Sequence, residues 1–318
     1  MHVSDSSLKQ TVTGLITQEA LPSTYADTVE RTIMPLVQHI VALQSQTQAS
    51  VVIGIHGAQG TGKSTLTLFL REILTRHHQC PTASFSLDDM YLTRAERQQL
   101  AQSVHPLFIT RGVPGTHDIA LGQRVIAQLR AADTGDVTPI PSFDKSIDDR
   151  VPREQWPLYE GPARVILVEG WCLGARPQPE EALEEPINSL EAVEDPEGIW
   201  RRYVNECLKG AYHRFFDPMD FLVMLKAPSM ESVLEWRTLQ EHKLAEKLKN
   251  APKMGSASGG AQTLRIMSDK EVQRFIMHYE RVTRFCLSEM PARADALIDV
   301  AEDHSLSLPH FNDQEGRT

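Results

Sequence analysis

The chain has 318 residues, of which 41% are hydrophobic and 23% charged, a balance that excludes disordered, collagen-like and membrane-protein classes and suits one large α/β domain with extensions. Its formal charge of −10 argues against a nucleic-acid polymer as partner, and no apolar run approaches the roughly 18–20 residues of a membrane-spanning helix. Cys80, Cys172, Cys207 and Cys286 are far apart, without zinc spacing, and read as reduced thiols; the early residues lack a basic start and an apolar h-region, so the expected compartment is the cytoplasm.

Residues 1–49 read as a helical extension, with apolar spacing through Ile33, Leu36, Ile40 and Leu43. A core domain is expected over 50–303. It opens with a β-branched run, Val51 to Ile55, that suits a strand buried on both faces. Leu66, Phe69, Leu70 and Ile73 then carry helical spacing. Ala83 to Leu87 reads as a second strand, Thr93 with Glu96 as a capping box opening a helix, and Asp118 to Arg130 as a further helix. Val165 to Val168 and Phe221 to Leu225 are further strands, and Leu297 to Val300 is expected at the sheet edge. Strands alternating with helices predict an α/β fold with a parallel central sheet flanked by helices.

Two stretches interrupt this alternation. The Glu- and Pro-rich segment at about 177–197 is expected to be a solvated acidic insertion. A lid is expected over about 228–268, with the Gly- and Ser-rich stretch Lys249 to Gln262 as its mobile part and Ser268 with Glu271 capping the helix that follows. Residues 304–318 read as a C-terminal tail.

Between the first strand and its helix stands Gly57-Ala58-Gln59-Gly60-Thr61-Gly62-Lys63-Ser64, a full G-x-x-x-x-G-K-[ST] pattern. Its glycines let successive N–H groups and a helix N-terminus converge on phosphate oxygens. The pattern implies ATP, with Lys63 on the β- and γ-phosphates, the Ser64 hydroxyl on Mg²⁺ and Thr65 near the α-phosphate. No N-K-x-D guanine signature occurs, and Ser258 to Gln262 lacks the leading Leu of a transporter signature. Glu169 ends a buried strand, where it faces the same crevice and is a second group for Mg²⁺.

Asp88 and Asp89 follow the second strand, again at the crevice edge, and Asp88 is the expected base for an acceptor hydroxyl; the other reading is that these acids cap the next segment. Arg111-Gly112-Val113-Pro114-Gly115-Thr116-His117-Asp118, then Phe143-Asp144-Lys145-Ser146 with Asp148-Asp149-Arg150, join cationic side chains to turns, as a small anionic acceptor requires.

Taken with Leu87-Asp88-Asp89-Met90-Tyr91, Glu169-Gly170-Trp171, Trp236-Arg237, Gln240-Glu241 and Met267-Ser268-Asp269, these motifs resemble the D-glycerate 3-kinase family. That family falls in the wider P-loop group of uridine kinase, phosphoribulokinase and pantothenate kinase, and the resemblance covers about residues 50–300. It implies a P-loop NTPase fold with a helical lid and transfer of the ATP γ-phosphate to D-glycerate. Asp88 would be the base, and Lys63 and Arg237 would stabilise charge. Asp89, Tyr91, Arg111, His117 and Lys145 would line the acceptor site. A kinase for a nucleoside, sugar phosphate or pantothenate-like acceptor, and a nucleotide-regulated binding protein, are the other readings of the motifs. The acidic insertion and the Lys-rich helix before the Gly/Ser stretch depart from the family pattern, and oligomeric state is left open.

Overall fold

Six strands form the central sheet: Val51–Gly57 (β1), Thr82–Ser86 (β2), Val165–Gly170 (β3), Phe221–Lys226 (β4), Ala296–Asp299 (β5) and His310–Phe311 (β6). Their order is β6-β5-β4-β1-β3-β2, with β6 antiparallel to β5 and the other neighbours parallel. The computed structural model describes residues 5–250 and 267–312. Every residue of β1 and of β3 is buried, as an apolar run covered on both faces must be. The side chains of β1 divide by alternation. Val51, Ile53 and Ile55 enter one apolar layer with Leu66, Phe69 and Ile73 of the helix Lys63–His77; Val52 enters the other with Val125, Phe108 and Trp171.

The N-terminal helices are packed into this core. Ile33, Leu36 and Ile40 are fully buried. Pro35 has no N–H for the helical ladder, and the turn before it, Val29–Ile33, widens to a π-helix. From that turn the Thr32 hydroxyl donates to the Ser307 carbonyl at 2.9 Å, and His39 stacks on Phe311 with ring centroids 4.7 Å apart. The extension and the C-terminal segment therefore hold each other.

Three expectations change. β2 stops at Ser86, one residue early, because Ser86 and Asp89 cap each other and draw Leu87–Met90 into a 3-10 turn. β5 is not the edge, since β6, from the expected tail, pairs with it. The acidic insertion is only partly solvated. Its Glu181, Glu184 and Glu185 are exposed, but Glu191 and Asp195 are buried. Arg281 meets Glu191 through two nitrogens at 2.8 and 2.6 Å and also donates to the carbonyls of Ala182 and Glu185. Arg201 pairs with Asp195 at 3.1 Å. A buried carboxylate is tolerated only when paired in this way. Of the expected lid, Met230–Asn250 and Asp269–Glu289 are helices, the second capped by Ser268 and Glu271 as predicted. Residues 251–262 of the Gly/Ser stretch lie outside the described residues. Among the described residues no helix is long and apolar enough to cross a membrane, and the four cysteines are free thiols.

Replacing Glu191 by Ala leaves the Arg281 charge buried without its partner and is expected to cost about 3–5 kcal/mol in denaturant unfolding. The exposed Glu181→Ala change should stay within about 0.5 kcal/mol. Equal, small effects from both would refute the anchoring role of Glu191.

Candidate functional site

The P-loop bends where its glycines permit it. Gly60 has φ +86°, in the left-handed region, and a Cβ there would come within 2.8 Å of the Trp236 side chain. Gly62, at φ +87°, leads into the helix Lys63–His77. Thr61 donates its hydroxyl hydrogen bond to the Ala58 carbonyl at 2.8 Å, and Lys63 Nζ lies 3.3 Å from the same oxygen. Across the sheet, Glu169 pairs in register with Ile55 on one side and Ser86 on the other, which brings its carboxylate beside the loop. Ser64 Oγ donates to Glu169 Oε1 at 3.0 Å. Ser64 and Glu169, the two groups expected at a metal, are thus adjacent, and both are hard oxygen donors of the kind Mg²⁺ takes.

The two acids after β2 divide their work. Asp89 turns back to cap the Ser86 N–H at 3.4 Å, while Asp88 faces the cleft. Asp88 accepts from the Tyr91 hydroxyl at 2.9 Å and from Lys145 Nζ at 2.7 Å. Burial pushes its pKa up, but the Lys145 charge and hydrogen bond, then Lys63 and Tyr91, outweigh burial and hold the carboxyl at about 2. For Asp89, burial and then the Asp88 charge push the carboxyl up to about 6.

The acceptor loops are fixed by groups well apart in sequence. Gly112 has φ +140°, and a Cβ there would overlap the Tyr279 hydroxyl at 2.1 Å, so the Arg111-Gly112 backbone lies directly against that ring. Trp171 Nε1 donates to the Gly112 carbonyl at 2.9 Å. Arg111 reaches the cleft wall, pairs with Asp148 and lies over the Phe143 ring at 5.6 Å. His117 does not reach the cleft, contrary to expectation. It faces Tyr91 in a one-residue antiparallel bridge, so the two rings share a side and stack at 4.5 Å. Its Nδ1 lies 2.6 Å from the Tyr212 hydroxyl. Burial pushes the ring's pKa down to about 3, so it is neutral and offers no charge to an acceptor carboxylate.

Two residues that matter were not singled out. Arg97, fully buried, donates to the carbonyls of Leu92, Ile109 and Asp148 and pairs with the Asp148 carboxylate at 2.9 Å. Nothing in the helix pattern around Arg97 marks it as interior. Tyr212 accepts from the Gly115 N–H at 2.9 Å, and its only signal in sequence was its apolar surroundings. Arg150, noted only as part of a turn, donates to the Tyr91 carbonyl at 2.8 Å through Nη2.

One cleft of about 830 Å³ brings Gln59 through Thr65, Asp88, Asp89, Tyr91, Arg111, Lys145, Glu169 and Arg237 together. Gly57 and Ala58 lie beneath it, at the end of β1. Arg237 enters from the helix Met230–Asn250, paired with Glu241 at 2.8 Å and 5.8 Å from the Phe275 ring centre. Glu241 is itself fixed by the Met267 N–H at 2.8 Å.

The raised Asp89 carboxyl has a consequence for stability. Its unfolded pKa is about 4, so between about pH 4 and 6 the unfolded chain loses this proton while the folded protein keeps it, and stability falls as pH rises through that window. Asp89→Asn should raise the melting temperature at pH 8 by about 2–4 °C, with the gain vanishing near pH 4. A gain of equal size at both pH values would refute the titration as its cause.

No family model matches the chain. The uncharacterized kinase mug58 of Schizosaccharomyces pombe is 34% identical over 237 residues, covering 72% of this chain and 78% of mug58. The chloroplastic D-glycerate 3-kinase of Arabidopsis thaliana is 31% identical over 237 residues, which are 72% of this chain and 46% of the plant protein. The match thus spans under half of that relative. A D-glycerate 3-kinase from Cryptococcus neoformans shares the fold, with TM-score 0.69 at 24% identity over 92% of this chain and 100% of that one. ATP is the phosphate donor these relationships imply, and a small molecule the acceptor. An intact P-loop on a mostly parallel sheet, with these relatives, makes the chain a member of the D-glycerate 3-kinase family of P-loop kinases.

Proposed function

We propose that the chain transfers the γ-phosphoryl group of ATP to a hydroxyl of a small hydroxy acid, with D-glycerate as acceptor and 3-phosphoglycerate as product. The observation that carries this reading is Asp88, held between Lys145 and Tyr91 on the wall that faces Lys63 and Ser64. A site that only bound nucleotide would have no use for a fixed carboxylate beside the terminal phosphate. Two cationic groups, Arg111 and Lys145, stand on the same wall and suit the carboxylate of a hydroxy acid.

In this reading the P-loop N–H groups and Lys63 hold the phosphates, and Arg237 adds a fixed guanidinium to the charge that spreads over the γ-phosphoryl oxygens. Ser64 and Glu169 would hold Mg²⁺, which when bound neutralises phosphate charge. The acceptor oxygen bonds to the γ-phosphorus, the bond to the β,γ-bridging oxygen breaks, ADP leaves, and the hydroxyl proton passes to Asp88. A carboxyl held at about 2 is a weak base, and Lys145 is the main reason it is held there. An acceptor carboxylate that draws Lys145 toward itself loosens that pairing and makes Asp88 more basic at the moment the hydroxyl arrives. Tyr91 keeps the Asp88 carboxylate aimed.

The test is ADP release with Mg-ATP and D-glycerate, set beside L-glycerate, uridine, ribulose 5-phosphate, pantothenate and simple polyols. Release that depends on D-glycerate, with 3-phosphoglycerate recovered, is expected; release with a different acceptor alone would reassign the substrate. Lys63→Ala should lower kcat by about 10²–10³-fold. Asp88→Asn should keep ATP affinity and lose about 10²–10⁴ in kcat, and a near-normal rate would reject Asp88 as the base.

A further inference from the structure

The helix Arg94–Ser103 buries a single residue, and that residue is Arg97. Its guanidinium meets three separate segments. Nε donates to the Leu92 carbonyl at 3.2 Å, Nη1 to the Ile109 carbonyl at 2.8 Å, and Nη2 to the Asp148 carbonyl at 2.6 Å. Leu92 follows Asp88 by four residues, Ile109 precedes Arg111 by two, and Asp148 follows Lys145 by three. The base and both acceptor cations are therefore each carried by a segment tied to one planar fork. Two further contacts support the same loops. The Arg94 N–H donates to the Asp149 carboxylate at 3.1 Å, and the Phe143 ring lies under both Arg97 and Arg111, at 5.9 and 5.6 Å.

Asp148 makes the link to Arg111 electrostatic. At φ +56° it turns both its carbonyl and its carboxylate to Arg97; Oδ2 lies 2.9 Å from Arg97 Nη2, and Oδ1 pairs with Arg111. One carboxylate thus serves two guanidiniums, and the trio keeps a net positive charge. A carboxylate paired with Arg111 alone would cancel that charge and leave little attraction for an anion. Arg111 is the member of the trio that lines the cleft, so the remaining charge faces the acceptor.

We propose that Arg97 is a positioning residue for the acceptor: it fixes the spacing of Asp88, Arg111 and Lys145 and, by sharing Asp148, keeps Arg111 charged toward the acceptor's carboxylate. This rests on the hydroxy-acid reading above and adds to it a residue that is fully buried and out of reach of either substrate. The bonds of Arg97 all lie on the acceptor side, so nucleotide binding should not register its loss.

The experiment is steady-state kinetics of the full chain with Mg-ATP and D-glycerate, with a calorimetric ADP titration and a melting temperature for each variant. Arg97→Gln, which can still donate to a carbonyl but carries no charge, should raise the KM for D-glycerate by about 10-fold or more and leave ADP affinity unchanged. Asp148→Asn leaves the three carbonyl bonds in place and frees Arg111 in charge but not in direction, so kcat should fall by about 10–100-fold with no rise in KM. The double variant separates positioning from plain structural support. With the unshared carboxylate gone, its KM should return to near the unaltered value while kcat stays low. A double variant with KM as high as that of Arg97→Gln, or a loss of ADP affinity in Arg97→Gln parallel to its rise in KM, would overturn the proposal. Should the Arg97 variants fail to fold, Asp148→Asn decides: a loss confined to kcat upholds the proposal and an unchanged kcat overturns it. If the unaltered chain shows no ADP release that depends on D-glycerate, the hydroxy-acid reading itself falls, and the proposal with it.

Discussion

The pairing of Ile55 with Glu169, and of Glu169 with Ser86, aligns three parallel strands so that their carboxyl ends open at one level. Everything chemical follows from that alignment. β1 continues into the P-loop, β3 delivers Glu169 to Ser64, and β2 hands the chain to the turn carrying Asp88. Side chains alternate along a strand, so a slip of one residue in β3 would turn Glu169 toward an apolar layer and present Val168 to the phosphates. The full burial of β1 and β3 makes such a slip costly, since either shift would expose apolar groups or bury the acid unpaired.

Around this level the acceptor loops are held by a chain of charges anchored on the fully buried Arg97. Arg97 gathers Leu92, Ile109 and Asp148, and Asp148 in turn meets Arg111 at the cleft wall. Arg111 is therefore aimed from behind by a buried guanidinium acting through a shared carboxylate. Arg150 holds the backbone of Tyr91 directly, through its carbonyl. Such pairs add little net stability over apolar packing of the same shape, but they allow one arrangement of the loops and penalise others. A phosphoryl acceptor has to be placed to within a fraction of an ångström, and that selectivity is the useful property.

What could be read from the sequence is what lies close together along the chain. The P-loop, the strand ending at Glu169 and the Asp88-Asp89 turn are short patterns with a mechanism attached, and all of them line the cleft. His117 was misjudged because its motif gave its neighbours in sequence but not Tyr91 opposite it or Tyr212 behind it. Glu191 was read as solvated because its segment is dense in acids. Its partner Arg281 is 90 positions away, and composition carries no trace of a pair so separated. Arg97 looked like any helix-surface cation until the fold closed over it. One end of the cleft joins Leu21 and Tyr25 to His304 and Leu306, which no local pattern could connect.

The hydrogen bond from Thr32 to Ser307 links positions 275 residues apart, and His39 rests on Phe311 in the last strand. During synthesis the N-terminal helices leave the ribosome long before the residues that lock them exist. Ile33, Leu36 and Ile40 can pack early against β1 and the helix Lys63–His77, but the contacts of Thr32 and His39 wait until the segment after β5 arrives. Contacts of such span are slow to form, because the entropy of closing the loop is lost before the contact returns anything. Completion of the sheet edge is thus a late event, and in the interval the unpaired edge of β5 is what a chaperone would have to cover.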